Sequence, residues 1–366
     1  MNRVILIVLD GCGVGSASDW ESFDEVEPSN TIKHVFEANP GLSLPNLDQL
    51  GLWQSAFEQS SRLLPQSKGG KDSVTGHWEL MGIVLDHRFP TYPNGFPENL
   101  RDEFEARIGR RCLWNGPASG TQIIAQEGEK HLATGQPIIY TSADSVFQIA
   151  AHEDIVPVEQ LYQWCEIARE IAVAPNNVQR IIARPFSGPA GSFVRTERRR
   201  DYPLPPPQNL CDEIGDVYGI GVVPELFSHR GFRPVSRTQS NPEHEIALMA
   251  ALDSDARFIF ANFEDFDMKY GHRNDPMGFA QCLVKFDQFL GKIMDRLHSG
   301  DQLLITADHG NDPTTSSTDH SREYVPLLTL PPMAVPVDAG MSWVADVVRN
   351  HLMIKSTADK STPVEK

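Results

Sequence analysis

V-I-L-I-V-L at 4–9, followed at once by D-G-C-G-V-G at 10–15, decides how the rest of the chain is read. Six consecutive apolar residues, most of them β-branched, read as a strand buried on both faces, and the glycine-rich sequel as a turn. The pattern recurs twice near the other end. F-I-F-A-N-F at 258–263 runs into Glu264, Asp265, Phe266 and Asp267, and L-L-I-T at 303–306 runs into Ala307, Asp308, His309 and Gly310. Each strand ends in carboxylates. In an open α/β sheet ligands gather beyond the carboxyl ends of parallel strands, so three distant segments are expected to deliver acidic groups to one edge. Between the second and third strands, Phe279, Leu283, Phe286, Phe289, Leu290 and Ile293 follow helical spacing and predict a helix over 277–297.

At 366 residues the chain is long enough for one large domain with an insertion, or for two domains. Its 49 acidic and 32 basic side chains leave a formal net charge of -17, which provides no footprint for gripping nucleic acid or an anionic membrane. An anionic small-molecule substrate would then be held locally, by bound cations or by clustered arginines such as Arg195, Arg198, Arg199 and Arg200. The five cysteines are far apart, odd in number and without C-x-x-C spacing, which argues against a disulfide framework or a zinc cage. The apolar run at 4–9 is too short for a signal sequence or a membrane span. These features predict a reduced, cytoplasmic protein.

Residues 90–201 open on a proline- and glycine-rich stretch, F-P-T-Y-P-N-G-F-P, and close on the arginine run followed by Y-P-L-P-P-P. Such punctuation marks linkers around an inserted domain. The predicted organisation is a core in two parts, 1–89 and 202–366, interrupted by an inserted domain at 90–201. The tail at 355–366 has almost no apolar content and is expected to fray.

The first turn, G-x-G-x-G at 11–15, lacks the third glycine position of a dinucleotide fingerprint, and Asp10 would set negative charge beside a pyrophosphate. Asp10 fits better as a metal ligand. D-H-G-N-D at 308–312, with T-D-H at 318–320, concentrates carboxylates and imidazoles after a strand, and oxygen with nitrogen donors suits manganese, zinc or iron. Asp312 and Asp319, taken singly, read as turn formers, whereas Asp308, His309 and His320 together read as ligands. Asp267 and His272 add a further pair. The polar stretch G-G-K-D-S-V-T-G-H-W-E at 69–79 offers two hydroxyls, Ser73 and Thr75, and a serine beside a cation becomes a nucleophile toward phosphorus.

Together these segments resemble the phosphopentomutases of the alkaline-phosphatase superfamily over nearly the whole chain. The phrases that carry the resemblance include L-P-N-L at 44–47, T-G-H-W-E at 75–79, P-A-S-G-T at 117–121, Y-T-S-A-D-S-V at 140–146, I-A-R-P-F at 182–186, Y-G-H-R at 270–273 and T-A-D-H-G-N-D-P at 306–313. The resemblance implies an alkaline-phosphatase-like α/β core, its sheet sandwiched by helices, and an inserted α+β cap that recognises the substrate. It further implies two manganese ions, one on Asp10, Asp308 and His309 and the other on Asp267, His272 and His320. The phosphorylated residue falls at Ser73, where the family carries threonine and the related cofactor-independent phosphoglycerate mutases carry serine. Sugar-phosphate contacts fall on Ser142, Asp144, Val146, Arg180 and Arg195, and a sugar bisphosphate is the implied primer. The implied activity is interconversion of pentose 1-phosphate and 5-phosphate.

Three lysines of the family pattern are absent. Gly116 follows Asn115 where the family has Asn-Lys, Val222 follows Gly221 in place of a lysine, and T-Q-S-N at 238–241 replaces a T-K-S-N-like phrase. A charged donor to a phosphate contributes about 1.5–3 kcal/mol, so these losses bear on substrate choice. The alternatives are a phosphohydrolase, a mutase of another sugar phosphate, or a non-catalytic phosphosugar binder.

Overall fold

The computed structural model describes residues 2–142 and 145–354, so Asp144 and the tail at 355–366 lie outside the described residues. A five-stranded sheet is ordered Leu328–Leu330, Asp301–Thr306, Arg3–Leu9, Phe258–Phe263, Tyr218–Ile220. Arg3–Leu9 lies at its centre, parallel to a neighbour on each side. Tyr218–Ile220 continues the parallel set, and Leu328–Leu330 closes the other edge antiparallel. Every residue of the three central strands is buried, as an unbroken apolar run requires of a sheet covered on both faces. The chain is therefore of the α/β class that its strands predicted. The register has a direct consequence for chemistry. Val8 stands opposite both Thr306 and Asn262, so two residues later Asp10 and Asp308 leave the sheet side by side.

The central strand begins one residue before its apolar run, at Arg3, because the guanidinium has a partner: it donates to the two carboxylate oxygens of Asp301 at 3.0 and 2.6 Å. The helix expected at 277–297 spans Pro276–Met294. Asp275 caps it, accepting from Gly278 N at 2.8 Å, and Pro276 occupies the first turn, where its missing N–H costs nothing. The helix stops early because the chain must turn through Ser299 and Gly300 to enter the next strand at Asp301. Its apolar face is buried as the periodicity demands, with Phe286 edge-on to Phe263 at 5.1 Å between ring centroids. Each such ring contributes about 1.5–3 kcal/mol by leaving water.

Close contacts divide the chain into two compact units. The first joins the segment ending at His87 to that beginning at Pro206 and holds the sheet above; the second is Arg88–Pro205. The second unit has a sheet of its own, in which Val146–His152 runs parallel to Arg180–Ser187 and antiparallel to Ile138–Tyr140. Val194–Arg195 and Arg200–Pro203 both pair antiparallel with Arg180–Ser187. A separate hydrophobic core, including Phe96, Phe104, Phe147, Leu161, Trp164 and Ile181, supports it, with Phe96 stacked on Phe147 at 4.2 Å. Among the described residues no helix is long and apolar enough to cross a membrane. All five cysteines are unpaired.

Candidate metal centre

The carboxyl ends of the three central strands meet. Gly11, directly after Asp10, takes φ +76°, a left-handed conformation in which a side chain would be strained, and its N–H donates to Asp308 Oδ1 at 3.2 Å. Asn311 N–H donates in turn to the Gly11 carbonyl at 2.9 Å, so the loops after two strands are knitted together. Beyond the third strand, a short π-helical turn, Phe266–Tyr270, carries Asp267, and the following turn, Gly271–Arg273, carries His272. His320 completes the group, its ring centroid 4.1 Å from that of His309 and 4.8 Å from that of His272.

The donor atoms form two overlapping sets, each within 4.8 Å: Asp267 with His272 and His320, and Asp10 with Asp267 and His309. His272 Nε2 is 3.1 Å from Asp267 Oδ2, and His320 Nε2 is 3.5 Å from Asp267 Oδ1. His309 Nε2 lies 3.5 Å from Asp10 Oδ1 and 3.3 Å from Asp308 Oδ2. All six residues read from the sequence as ligands therefore come together, with Asp267 between the two sets.

Hydrogen bonds on the far side of two rings say what the near side can do. His309 Nδ1 donates to the Gly310 carbonyl at 3.1 Å, and His272 Nδ1 to the Thr318 carbonyl at 2.7 Å. Those bonds place a proton on Nδ1 and turn each Nε2, as lone pair, toward carboxylate oxygens. Acceptor then faces acceptor, a mismatch relieved by a cation, or by a second proton on the ring, between them. Asp10 Oδ1 and Asp308 Oδ2 are buried and make no hydrogen bond among the described residues. Burial, then the charges of Asp308 and Asp267, push the Asp10 carboxyl well above the usual carboxylate range. The Asp267 carboxylate, which accepts from His272 once that ring is doubly protonated, raises the His272 imidazole; burial works to lower His320, but the same carboxylate outweighs it and raises that ring too. Burial also works to raise Asp267, but His272 and His320 outweigh it and hold that carboxyl far below its ordinary value. Unsatisfied carboxylate and imidazole lone pairs converging in a buried site fit divalent cations.

Ser73 opens the helix Ser73–Leu80, whose N-cap Asp72 accepts from Val74 N and Thr75 N. Its hydroxyl reaches His309 Nε2 at 3.1 Å. Thr75 is differently placed: its hydroxyl donates to Asp72 Oδ2 at 3.0 Å, and the residue is only 2% exposed. Gly76 explains the close approach of this helix, since a Cβ there would overlap the carbonyl of Asp308. Reading the sequence missed two amides in the centre. Asn262 donates to Asp10 Oδ2 at 2.7 Å, and Asn311 to Asp267 Oδ1 at 2.6 Å. The lone polar residue in F-I-F-A-N-F was the available signal for Asn262; for Asn311 there was none beyond its company in D-H-G-N-D.

The second unit holds the residues read as substrate contacts, except Asp144, which lies outside the described residues. Val146 is buried and opposite Arg180 in the parallel register, and Arg180 lies 3.8 Å from Asp201. Ser142 follows the strand Ile138–Tyr140 and is half-buried. Arg195 sits at the sheet edge with its guanidinium against Gly120, the first residue of the helix Gly120–Thr134, where a Cβ would overlap both Arg195 and the Tyr140 hydroxyl. Burial raises the pKa of that hydroxyl, against the opposing charges of Arg184 and Arg195. The rest of the arginine run is committed elsewhere: Arg198 pairs with Glu153, Arg199 with both oxygens of Asp201, and Arg200 lies over Tyr162 and Tyr202.

A family model described as Metalloenzyme superfamily matches residues 221–356, the span that contains five of the six converging carboxylate and imidazole residues. The chain is similar in fold to the PH0037 protein of Pyrococcus horikoshii, with TM-score 0.50 at 17% identity, covering 97% of this chain and 98% of that one. Two phosphopentomutases are much nearer in sequence. That of Dictyoglomus thermophilum is 49% identical over 350 residues, covering 91% of this chain and 88% of its own. That of Caldanaerobacter subterraneus is 48% identical over 348 residues with the same coverage. Identity at this level, over about nine-tenths of the chain, shows that the chain belongs to the phosphopentomutase family, isomerases that transfer phosphoryl groups.

Proposed function

We propose that this protein interconverts pentose 1-phosphates and pentose 5-phosphates, of ribose or deoxyribose, with Ser73 as the carrier of the phosphoryl group. The observation that carries the reading is the 3.1 Å contact of the Ser73 hydroxyl with His309 at the rim of the six-ligand centre. Asp10, Asp308 and His309 would hold one divalent ion, and Asp267, His272 and His320 the other, with manganese as the ion used. Bound there, the cations supply positive charge for phosphoryl oxygens and make a serine hydroxyl acidic enough to act as a nucleophile. Asn262 and Asn311 orient the Asp10 and Asp267 carboxylates, leaving their remaining lone pairs aimed inward. Phosphorylated Ser73 passes its group to the free hydroxyl of a pentose monophosphate, and the resulting 1,5-bisphosphate returns its other phosphoryl group to Ser73. A sugar bisphosphate primes the first cycle.

Recognition of the sugar phosphate belongs to the second unit, read as a cap, through Ser142, Asp144, Val146, Arg180 and Arg195. Arg195 beside Arg184 and the Tyr140 hydroxyl at a helix N-terminus is a suitable place for a phosphate dianion, and it offsets the lysines missing at 116, 222 and 239. Binding energy from that remote phosphate would orient the reacting hydroxyl. The reaction takes place in the cytoplasm.

The test is a panel of phosphorylated pentoses and hexoses, offered with manganese and a sugar bisphosphate and scored separately for isomerised product and for free phosphate. Isomerised pentose phosphate is the expected product. Release of phosphate without isomerisation, or turnover of hexose phosphates alone, overturns the reading.

A further inference from the structure

His77 is completely buried, yet neither the ligand set nor the nucleophile assignment uses it. Its Nδ1 donates to the carbonyl of Ser73 at 2.8 Å and lies 3.2 Å from Asp308 Oδ2. Both neighbours are acceptors, so the proton sits on Nδ1. The other nitrogen, Nε2, is buried without a hydrogen-bond partner among the described residues, and the ring stacks on Phe260 at 5.7 Å between centroids. A proton on Nε2 would face no acceptor, which keeps the ring in one tautomer.

The two oxygens of Asp308 are treated differently. Oδ1 accepts from the backbone N–H groups of Gly11 and His309, both at 3.2 Å. Among the described residues Oδ2 makes no hydrogen bond; His77 Nδ1 and His309 Nε2, at 3.2 and 3.3 Å, are nitrogens against it. Oδ2 is thus the oxygen left for a cation, and the polar edge of His77 is what it rests on. Through the same nitrogen His77 grips the carbonyl of Ser73, on the first turn of a helix that approaches Asp308 closely enough to require Gly76.

We infer that His77 is a positioning residue that sets the spacing between Ser73 and Asp308, one ring nitrogen being hydrogen-bonded to the phosphoryl-accepting residue and in contact with a metal-ligating carboxylate. The inference rests on the proposed roles of Ser73 and Asp308. Removing a group that orients a ligand typically lowers metal affinity or activity 10- to 100-fold.

Two substitutions separate this role from simple packing. His77→Leu keeps apolar bulk against Phe260 but has no N–H, whereas His77→Asn places an amide N–H where Nδ1 stood. The readouts are manganese affinity by titration, phosphoryl uptake on Ser73 by intact mass after priming with a sugar bisphosphate, and kcat with KM for ribose 5-phosphate. In His77→Leu, manganese affinity and the extent of phosphoryl uptake should fall 10- to 100-fold, and kcat should fall with little change in KM. His77→Asn should recover most of each. If His77→Leu does not fold, His77→Asn decides alone: near-parental values support the role. A His77→Leu protein that binds manganese and takes up phosphoryl like the parent overturns it, as does a folded His77→Asn protein lacking both. Should the parent itself fail to bind manganese or to take up a phosphoryl group, the site reading fails first.

Discussion

Ser73 and His309, 236 positions apart in the sequence, face each other across 3.1 Å between Oγ and Nε2. His309 stands on the loop after a central strand, and Ser73 on the first turn of a helix whose backbone touches that loop. The pair therefore depends on Gly76 and on the Asp72 cap as much as on its own side chains.

Replacing the serine tests that relationship directly. Ser73→Ala is expected to keep the fold and abolish turnover and phosphoryl uptake, while Thr75→Val, which loses one hydrogen bond to Asp72, costs about 1 kcal/mol of stability and leaves uptake intact. Intact mass and peptide mapping after priming decide it. A phosphoryl group found on Thr75 would falsify the assignment.

Metal content should follow the imidazoles. His309→Ala and His320→Ala, loaded with manganese and examined by elemental analysis, should each hold less metal than the parent; full occupancy in both would remove these residues from the ligand set. Because Asp267 raises the pKa of both His272 and His320, protons compete for their Nε2 atoms from above the ordinary histidine value of about 6.5. Manganese affinity should accordingly fall as pH is lowered through that range, by roughly tenfold per pH unit for each proton displaced. A flat profile from pH 8 to pH 6 would contradict the geometry.

Gly76→Ala should be far more damaging than a helix propensity scale implies, since alanine favours helices. Its methyl group would overlap the Asp308 carbonyl, which is backbone and cannot swing aside. A loss of about 1–3 kcal/mol or more is expected in chemical denaturation, together with weakened manganese binding. Stabilisation by this substitution would show that the helix does not press on the strand end.

Glu79 predicts a pH dependence of stability that is separate from metal binding. Burial raises its carboxyl to about 7, although the N–H groups of Gln66 and Ser67 bond to it, both at 2.8 Å. Between the unfolded value near 4.5 and the folded value, the native state binds more protons than the unfolded one, so stability falls as pH rises through that window. The loss amounts to at most about 3 kcal/mol. Denaturation of the metal-free protein at pH 5 and pH 7.5 should show the decline, and Glu79→Gln should flatten it. An unchanged slope in the variant would assign the decline to another group.

Arg195→Ala separates recognition from chemistry. The variant should keep its manganese and still accept a phosphoryl group on Ser73, yet turn over pentose phosphates at least tenfold more slowly, with a raised KM. Parental kinetics would place the distal phosphate elsewhere and, with lysines absent at 116, 222 and 239, favour a substrate other than a pentose phosphate.

Strand identity, the acidic strand ends and the carboxylates and imidazoles that converge beyond them were legible in the linear chain, because an apolar run of six residues ending in Asp or Asp-His has few other uses. Register could not be read that way. That Asp10 and Asp308 leave the sheet together follows from Val8 facing Thr306, a pairing of strands almost 300 residues apart. The partners of Asn262, Asn311 and His77 could not be read for the same reason: each makes a hydrogen bond or close contact to a residue remote in sequence, and residue type alone does not reveal a partner. The choice between Ser73 and Thr75 shows the division most clearly. Sequence places two hydroxyls two residues apart, but helix geometry turns Thr75 back onto the Asp72 cap and leaves Ser73 facing His309. Composition and local pattern thus determined which elements form and which chemistry they carry, whereas tertiary packing decided which donor meets which acceptor, since that depends on distances between elements that the chain order does not contain.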